Sequence, residues 1–184
     1  MQGADDVADR GQVTPVHNLT EFVRDALASA LASQQVKLDE HTAHYVVSLL
    51  TLYSRTEVSH QDTRPGQRWV SLVDLLAQAS ASASAAEREA LLQRLGDVSL
   101  FVAGFFAHGF TRRLIDVDYH IAMGGRAYGT LAVTPMSGPR RALSTVFGEL
   151  SSKFQPVVDA IGEIADSARV WGPNDVLRLY ELWL

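Results

Sequence analysis

The stretch LSTVFGELSSKFQPVVDAIGEIADSA, residues 143–168, decides the fold. Its apolar positions, Leu143, Phe147, Leu150, Phe154, Val157, Ile161, Ile164 and Ala168, advance by threes and fours without losing phase. That is the period of one buried face of an α-helix. Pro156 lies inside the register, and a true break would reset the phase. The pattern therefore predicts one long helix kinked near Pro156. Trp171-Gly172-Pro173 would end it, and Asn174 would cap a last short helix to Leu184.

Working back toward the N-terminus, the same period recurs. Asp116 and Asp118 suit the positive end of a helix running from about Val117 to Val133, ahead of Pro135. Ser84 and Glu87 form a capping-box pattern opening onto Leu91, Leu92, Leu95, Val98, Val102 and Phe105, with Gly109 as the stop. Ser71 and Asp74 start a short helix that runs into ten residues of almost pure Ala and Ser, 77–86, either a connector or a helical extension. Asp39 caps a helix that is apolar over a wide arc through Tyr45, Val46, Leu49, Leu50, Leu52 and Tyr53. Asn18 with Glu21 opens the first helix, through Phe22, Val23, Ala26, Leu27, Ala30 and Leu31 to about Gln34. No segment sustains a period of two. The expected fold is all-α: a single-domain bundle of six to seven helices over 18–184, preceded by an unstructured acidic leader, 1–17.

Composition narrows the function. Of the 184 residues, 47% are hydrophobic and 20% charged, which suits a packed globular core. The absence of cysteine excludes disulfides, thiol nucleophiles and cysteine-ligated metals. A net charge of −5 argues against nucleic acid and anionic membranes as partners. The most apolar run, 98–110, falls short of the roughly 20 residues a bilayer span needs, and no secretory signal opens the chain. These features predict a soluble cytoplasmic protein. The Walker A loop, the Rossmann glycine fingerprint, the Gly-x-Ser-x-Gly elbow and His-Glu-x-x-His are all missing.

Four features carry candidate chemistry. Glu40, His41 and His44 cluster on one helix start, and Asp116, Asp118 and His120 on another; with His108, the imidazoles of His44 and His120 are the candidate metal ligands. Glycines recur in two helices, at Gly96 and Gly104 and at Gly124, Gly125 and Gly129. Each mid-helix glycine costs about 0.5–1 kcal/mol relative to alanine, so something approaches these backbones closely. That is either another helix or a flat ligand such as haem. Leu95-Gly96-Asp97 is similar to the Leu-Gly-Asp that introduces the glycine-rich distal helix of haem oxygenases, but Val98, Ser99 and Leu100 replace the glycines that should follow.

Arg140 and Arg141 stand where a helix N-terminus is expected, against its dipole, which suggests an anion site shared with Arg126, Gly124 and Gly125. Finally, Leu177, Tyr180, Trp183 and Leu184 belong to a C-terminal helix with only a narrow polar stripe, suited to a protein partner or to self-association. The leading expectation is a helical protein-interaction or regulatory module. The alternative is a cofactor-dependent helical enzyme, of haem-oxygenase-like or di-metal type, with histidine ligands.

Overall fold

A computed structural model describes residues 19–58, 72–106, 116–136 and 138–168. It contains seven α-helices: α1 (Leu19–Ser33), α2 (Glu40–Val58), α3 (Leu72–Ala81), α4 (Ala85–Phe106), α5 (Val117–Val133), α6 (Leu143–Ser152) and α7 (Phe154–Ala168). A 3-10 turn, Gly138–Ala142, leads into α6, and no strand occurs among the described residues. The expected leader and the C-terminal segment with Leu177, Tyr180, Trp183 and Leu184 lie outside the described residues, as does His108.

The bundle is organised around α4. From Leu95 to Gly104 every residue except Asp97 is buried, so this helix must be covered on all sides. Its most extensive partner is α5, followed by α7 and α3, with α2 crossing one flank. Helix α6 lies along α5, while α1 forms an outer layer on α2 and α7. Among the described residues no helix is long and apolar enough to cross a membrane.

Local chemistry sets the ends of these helices. Asp116 caps α5 by accepting from the Tyr119 amide at 2.9 Å. Asp39 does the same for α2, through the His41 amide. Helix α1 stops where Gln35 enters the left-handed region at φ 57°. There Val36 N–H reaches back to Leu31 C=O and Gln35 N–H to Ala32 C=O, the bonding of a Schellman motif with glutamine in the place glycine usually takes.

The Ala/Ser stretch is mostly helix, since α3 continues to Ala81 before a three-residue break. Arg88 closes that break by donating to the carbonyls of Ala79 and Ser82. The capping box is present in altered form. Ser84 Oγ accepts from the Glu87 amide, but the Glu87 carboxylate takes the Ser82 hydroxyl instead of the Ser84 amide.

The stretch 143–168 keeps its apolar phase but is two helices. The boundary is Lys153, with φ −115° and ψ 24°. Pro156 occupies the first turn of α7, where a missing N–H costs little. The expected kink at Pro156 is thus a break three residues earlier. The physical reason is that proline offers no donor to the Ser152 carbonyl and its ring crowds that group. Arg140 and Arg141 accordingly sit in the 3-10 turn and not in the first turn of α6.

Candidate functional site

Helices α1 and α2 flank a cavity of about 960 Å³. Small residues create it: Ala28 and Ala32 on α1 and Ala43 on α2 leave a trough between Leu27, Leu31 and Val47, closed at the connection by Val36 and Leu38. Arg24, Lys37, Glu40 and His44 stand on its rim. The side chains of Arg24 and Lys37 form no ion pair among the described residues.

Glu40 and His44 also line a second cavity, of about 360 Å³, on the far side of α2. It is completed by His41, Tyr45 and Ser48 and by Ala142, Leu143 and Val146 at the start of α6. The acid–imidazole cluster read from the sequence therefore forms a ridge between two hollows.

Behind Tyr45 lies a partly buried hydrogen-bond chain. The Arg140 guanidinium donates to Gln93 Oε1 at 2.7 Å, and Gln93 Nε2 donates to Tyr45 Oη at 3.0 Å. Tyr45 Oη donates to Asp97 Oδ1 at 2.6 Å, where Tyr128 Oη also donates, at 2.7 Å. Burial pushes the Asp97 carboxyl up to about 6, although the two hydroxyls pull the other way. Burial first, and the Asp97 charge second, drive the phenols of Tyr45 and Tyr128 well above the ordinary tyrosine range. Aromatic packing fixes the two rings: Phe147 meets Tyr45 edge-on and stacks on Tyr128.

The remaining candidates are scattered. Gly124 faces the Phe154 ring and Ser99, where an added β-carbon would lie 2.7 Å from Phe154 Cε2. Gly125 gives its carbonyl to Ser151 Oγ at 2.8 Å. The space beside both is filled by α6 and α7, so a neighbouring helix, not a flat ligand, approaches these backbones. Arg126 and Arg141 are exposed, and Arg140 is half-buried against Gln93. Arg126, Gly124 and Gly125 belong to α5, whereas Arg140 and Arg141 belong to the 3-10 turn before α6.

His44 is exposed on α2, and His120 is half-buried at the start of α5. These helices are not principal packing partners. Burial lowers the His120 pKa, Asp116 opposing, and its buried Nδ1 has no hydrogen-bond partner among the described residues. No three His, Asp or Glu side chains gather into a metal-ligand group among the described residues.

The sequence reading missed the Asp97 cluster, although its signal was present. Asp97 is the one charged residue in the run from Leu95 to Gly104, and a charge on a buried helix face requires partners. Comparison with protein-family models, with curated proteins and with solved structures finds no match to this chain.

Proposed function

We propose that this protein is a helical binding module whose α1–α2 groove receives an acidic amphipathic helix of a partner protein. The observation that carries this reading is the groove itself: apolar along its floor and bordered by Arg24 and Lys37, two cations with no ion pair among the described residues, beside Glu40 and His44. Its volume of about 960 Å³ stands at the upper end of the roughly 300–1,000 Å³ of ligand sites. Helix α1, with 15 residues, offers a wall of roughly 22 Å, enough for three to four turns of a bound helix. An apolar stripe on the partner would enter between Leu27, Leu31 and Val47, and its carboxylates would meet the rim. A cytoplasmic setting is part of the same proposal.

Selection of 18-residue helical peptides from a displayed library tests this against the intact chain. Acidic amphipathic sequences should be enriched, and their binding should weaken with salt. Ala32→Trp, which fills the trough from an exposed position, should weaken binding at least tenfold while preserving the helical circular dichroism. Equal binding to Ala32→Trp, or no enrichment, overturns the proposal.

A second reading, the cofactor-dependent enzyme, draws on His120. A neutral imidazole is the form that ligates metals, and Nδ1 of His120 is unbonded among the described residues. Elemental mass spectrometry of tag-free protein tests it, and a transition metal lost in His120→Ala would support it. Metal content unchanged by that substitution would remove its basis.

A further inference from the structure

We propose that proton binding at Asp97 sets how tightly α2 is seated on α4. Arg140 donates to Gln93, Gln93 to Tyr45 and Tyr45 to Asp97, while Tyr128 donates from the opposite side. Every donor points toward Asp97 Oδ1, and each phenol spends its single proton there.

No hydrogen bond to Oδ2 forms among the described residues, so a proton can be received on Oδ2 without reversing any bond in the chain. The carbonyl-like oxygen of a neutral carboxyl still accepts both hydroxyls. Protonation thus leaves the connections intact and removes a buried negative charge.

The groups that act on Asp97 come from known sides. Helix α2 contributes Tyr45 and, further along, Tyr53, whose phenol is raised by burial and by the Asp97 charge, with Arg94 opposing. Helix α5 contributes Tyr128, and the 3-10 turn contributes Arg140 through Gln93. The other neighbours of α4 bring apolar contacts, such as Ile161 of α7 against Gly104, and no charge from α3 or α7 acts on Asp97. The phenols are displaced away from neutral pH, so Asp97 is the member of this cluster that titrates near it.

The sign follows from linkage. The folded carboxyl titrates at about 6, against an ordinary 3.8. Its stabilising contribution is complete below the ordinary value and is lost as pH rises through 6. The seat of α2 should loosen over the same interval, because lifting α2 returns water to the ionised carboxyl, and the cost of burying that charge outweighs the stronger bonds it accepts from Tyr45 and Tyr128.

Carbon-13 NMR of the Asp97 carboxyl in the full chain, urea unfolding and amide exchange between pH 4 and 7.5 test the proposal. The carboxyl midpoint should lie near 6. The folding constant of the wild type, relative to Asp97→Asn, should fall by up to about tenfold per pH unit between 4 and 6. The asparagine still accepts from both tyrosines, and its profile should carry only the titration of the remaining groups, which cancels in the comparison. Exchange corrected for intrinsic rates should quicken in α2 more than in α7 as pH rises, in the wild type alone.

Tyr45→Phe removes one bond that favours the charged form and should raise the midpoint, which gives a readout even if Asp97→Asn folds poorly. A midpoint near 4 overturns the proposal. So do parallel profiles for wild type and Asp97→Asn, or exchange that quickens equally in α2 and α7.

Discussion

The ring of Tyr128 lies against the backbone of Gly96, so that a β-carbon on Gly96 would stand 2.5 Å from Tyr128 Cε1. The ring cannot yield, because its hydroxyl is bonded to Asp97 and its face is stacked on Phe147. Gly96→Ala should therefore destabilise the protein by about 1–3 kcal/mol, despite alanine's better helix propensity. Gly125→Ala is the control, since its added carbon would sit 3.8 Å from Phe154, an ordinary contact. That variant should be neutral or more stable by up to about 1 kcal/mol. Urea unfolding of the pair checks both, and equal losses would contradict the assignment of Gly96 to close packing.

Glu149 holds the N-terminus of α2 against α6. Its carboxylate accepts from the Asp39 amide at 3.0 Å and from Lys153 Nζ at 2.7 Å, while Lys153 also donates to the Lys37 carbonyl. Burial works to raise the Glu149 pKa, but bonds from Lys153, Thr42 and the Asp39 backbone outweigh it and hold it below the ordinary value. The stability it supplies is present above the ordinary glutamate range and is lost as pH falls through the lowered value. Glu149→Ala should cost about 1–3 kcal/mol at neutral pH. In unfolding curves the penalty should shrink as pH falls below the ordinary glutamate range.

Gln35 occupies a left-handed position, φ 57°, that is unfavourable for any residue with a β-carbon. Replacement by glycine should raise stability by up to about 1 kcal/mol while leaving α1 intact. Thermal unfolding measures this directly, and a loss would indicate that Gln35 contributes contacts on the groove side.

Tyr128→Phe keeps the stacked ring and deletes one donor to Asp97. The cost should be about 1–3 kcal/mol above pH 7, where the carboxylate is charged, and smaller below pH 5, where it is neutral. Double-mutant cycles with Asp97→Asn should return a coupling that declines over the same interval.

The helical architecture was legible because local signals agreed with it. Helix α5 runs from Val117 to Val133 as the Asp116 cap and Pro135 indicate. What stayed hidden depended on partners distant in sequence. The residues 143–168 retain one apolar stripe across two helices, since packing registers the side chains whether or not the backbone ladder is continuous. Alanine and serine in 77–86 are compatible with helix or connector, and Arg88 lies outside the stretch it helps to terminate. The glycines announced a close approach, but Tyr128, Phe154 and Ile161 could be identified only once the helices were placed. Asp97, Tyr45 and Tyr128 are 52 and 31 residues apart in their pairings, beyond any local pattern.

Where an aromatic or branched side chain fills a glycine notch, one helix cannot slide or turn past another without collision. Tyr128 in the Gly96 notch, Phe154 in that of Gly124 and Ile161 in that of Gly104 interlock α4, α5 and α7 in this way. Helices α1 and α2 contain no glycine at all. They are moored at their ends by polar lines, Ser33 and Gln34 to Glu163, Asp39 to Glu149 and Tyr45 to Asp97. Such lines can lengthen or exchange where notches cannot, so the two helices that border the groove are held by buried apolar contacts and adjustable polar lines, against a frame that is sterically keyed.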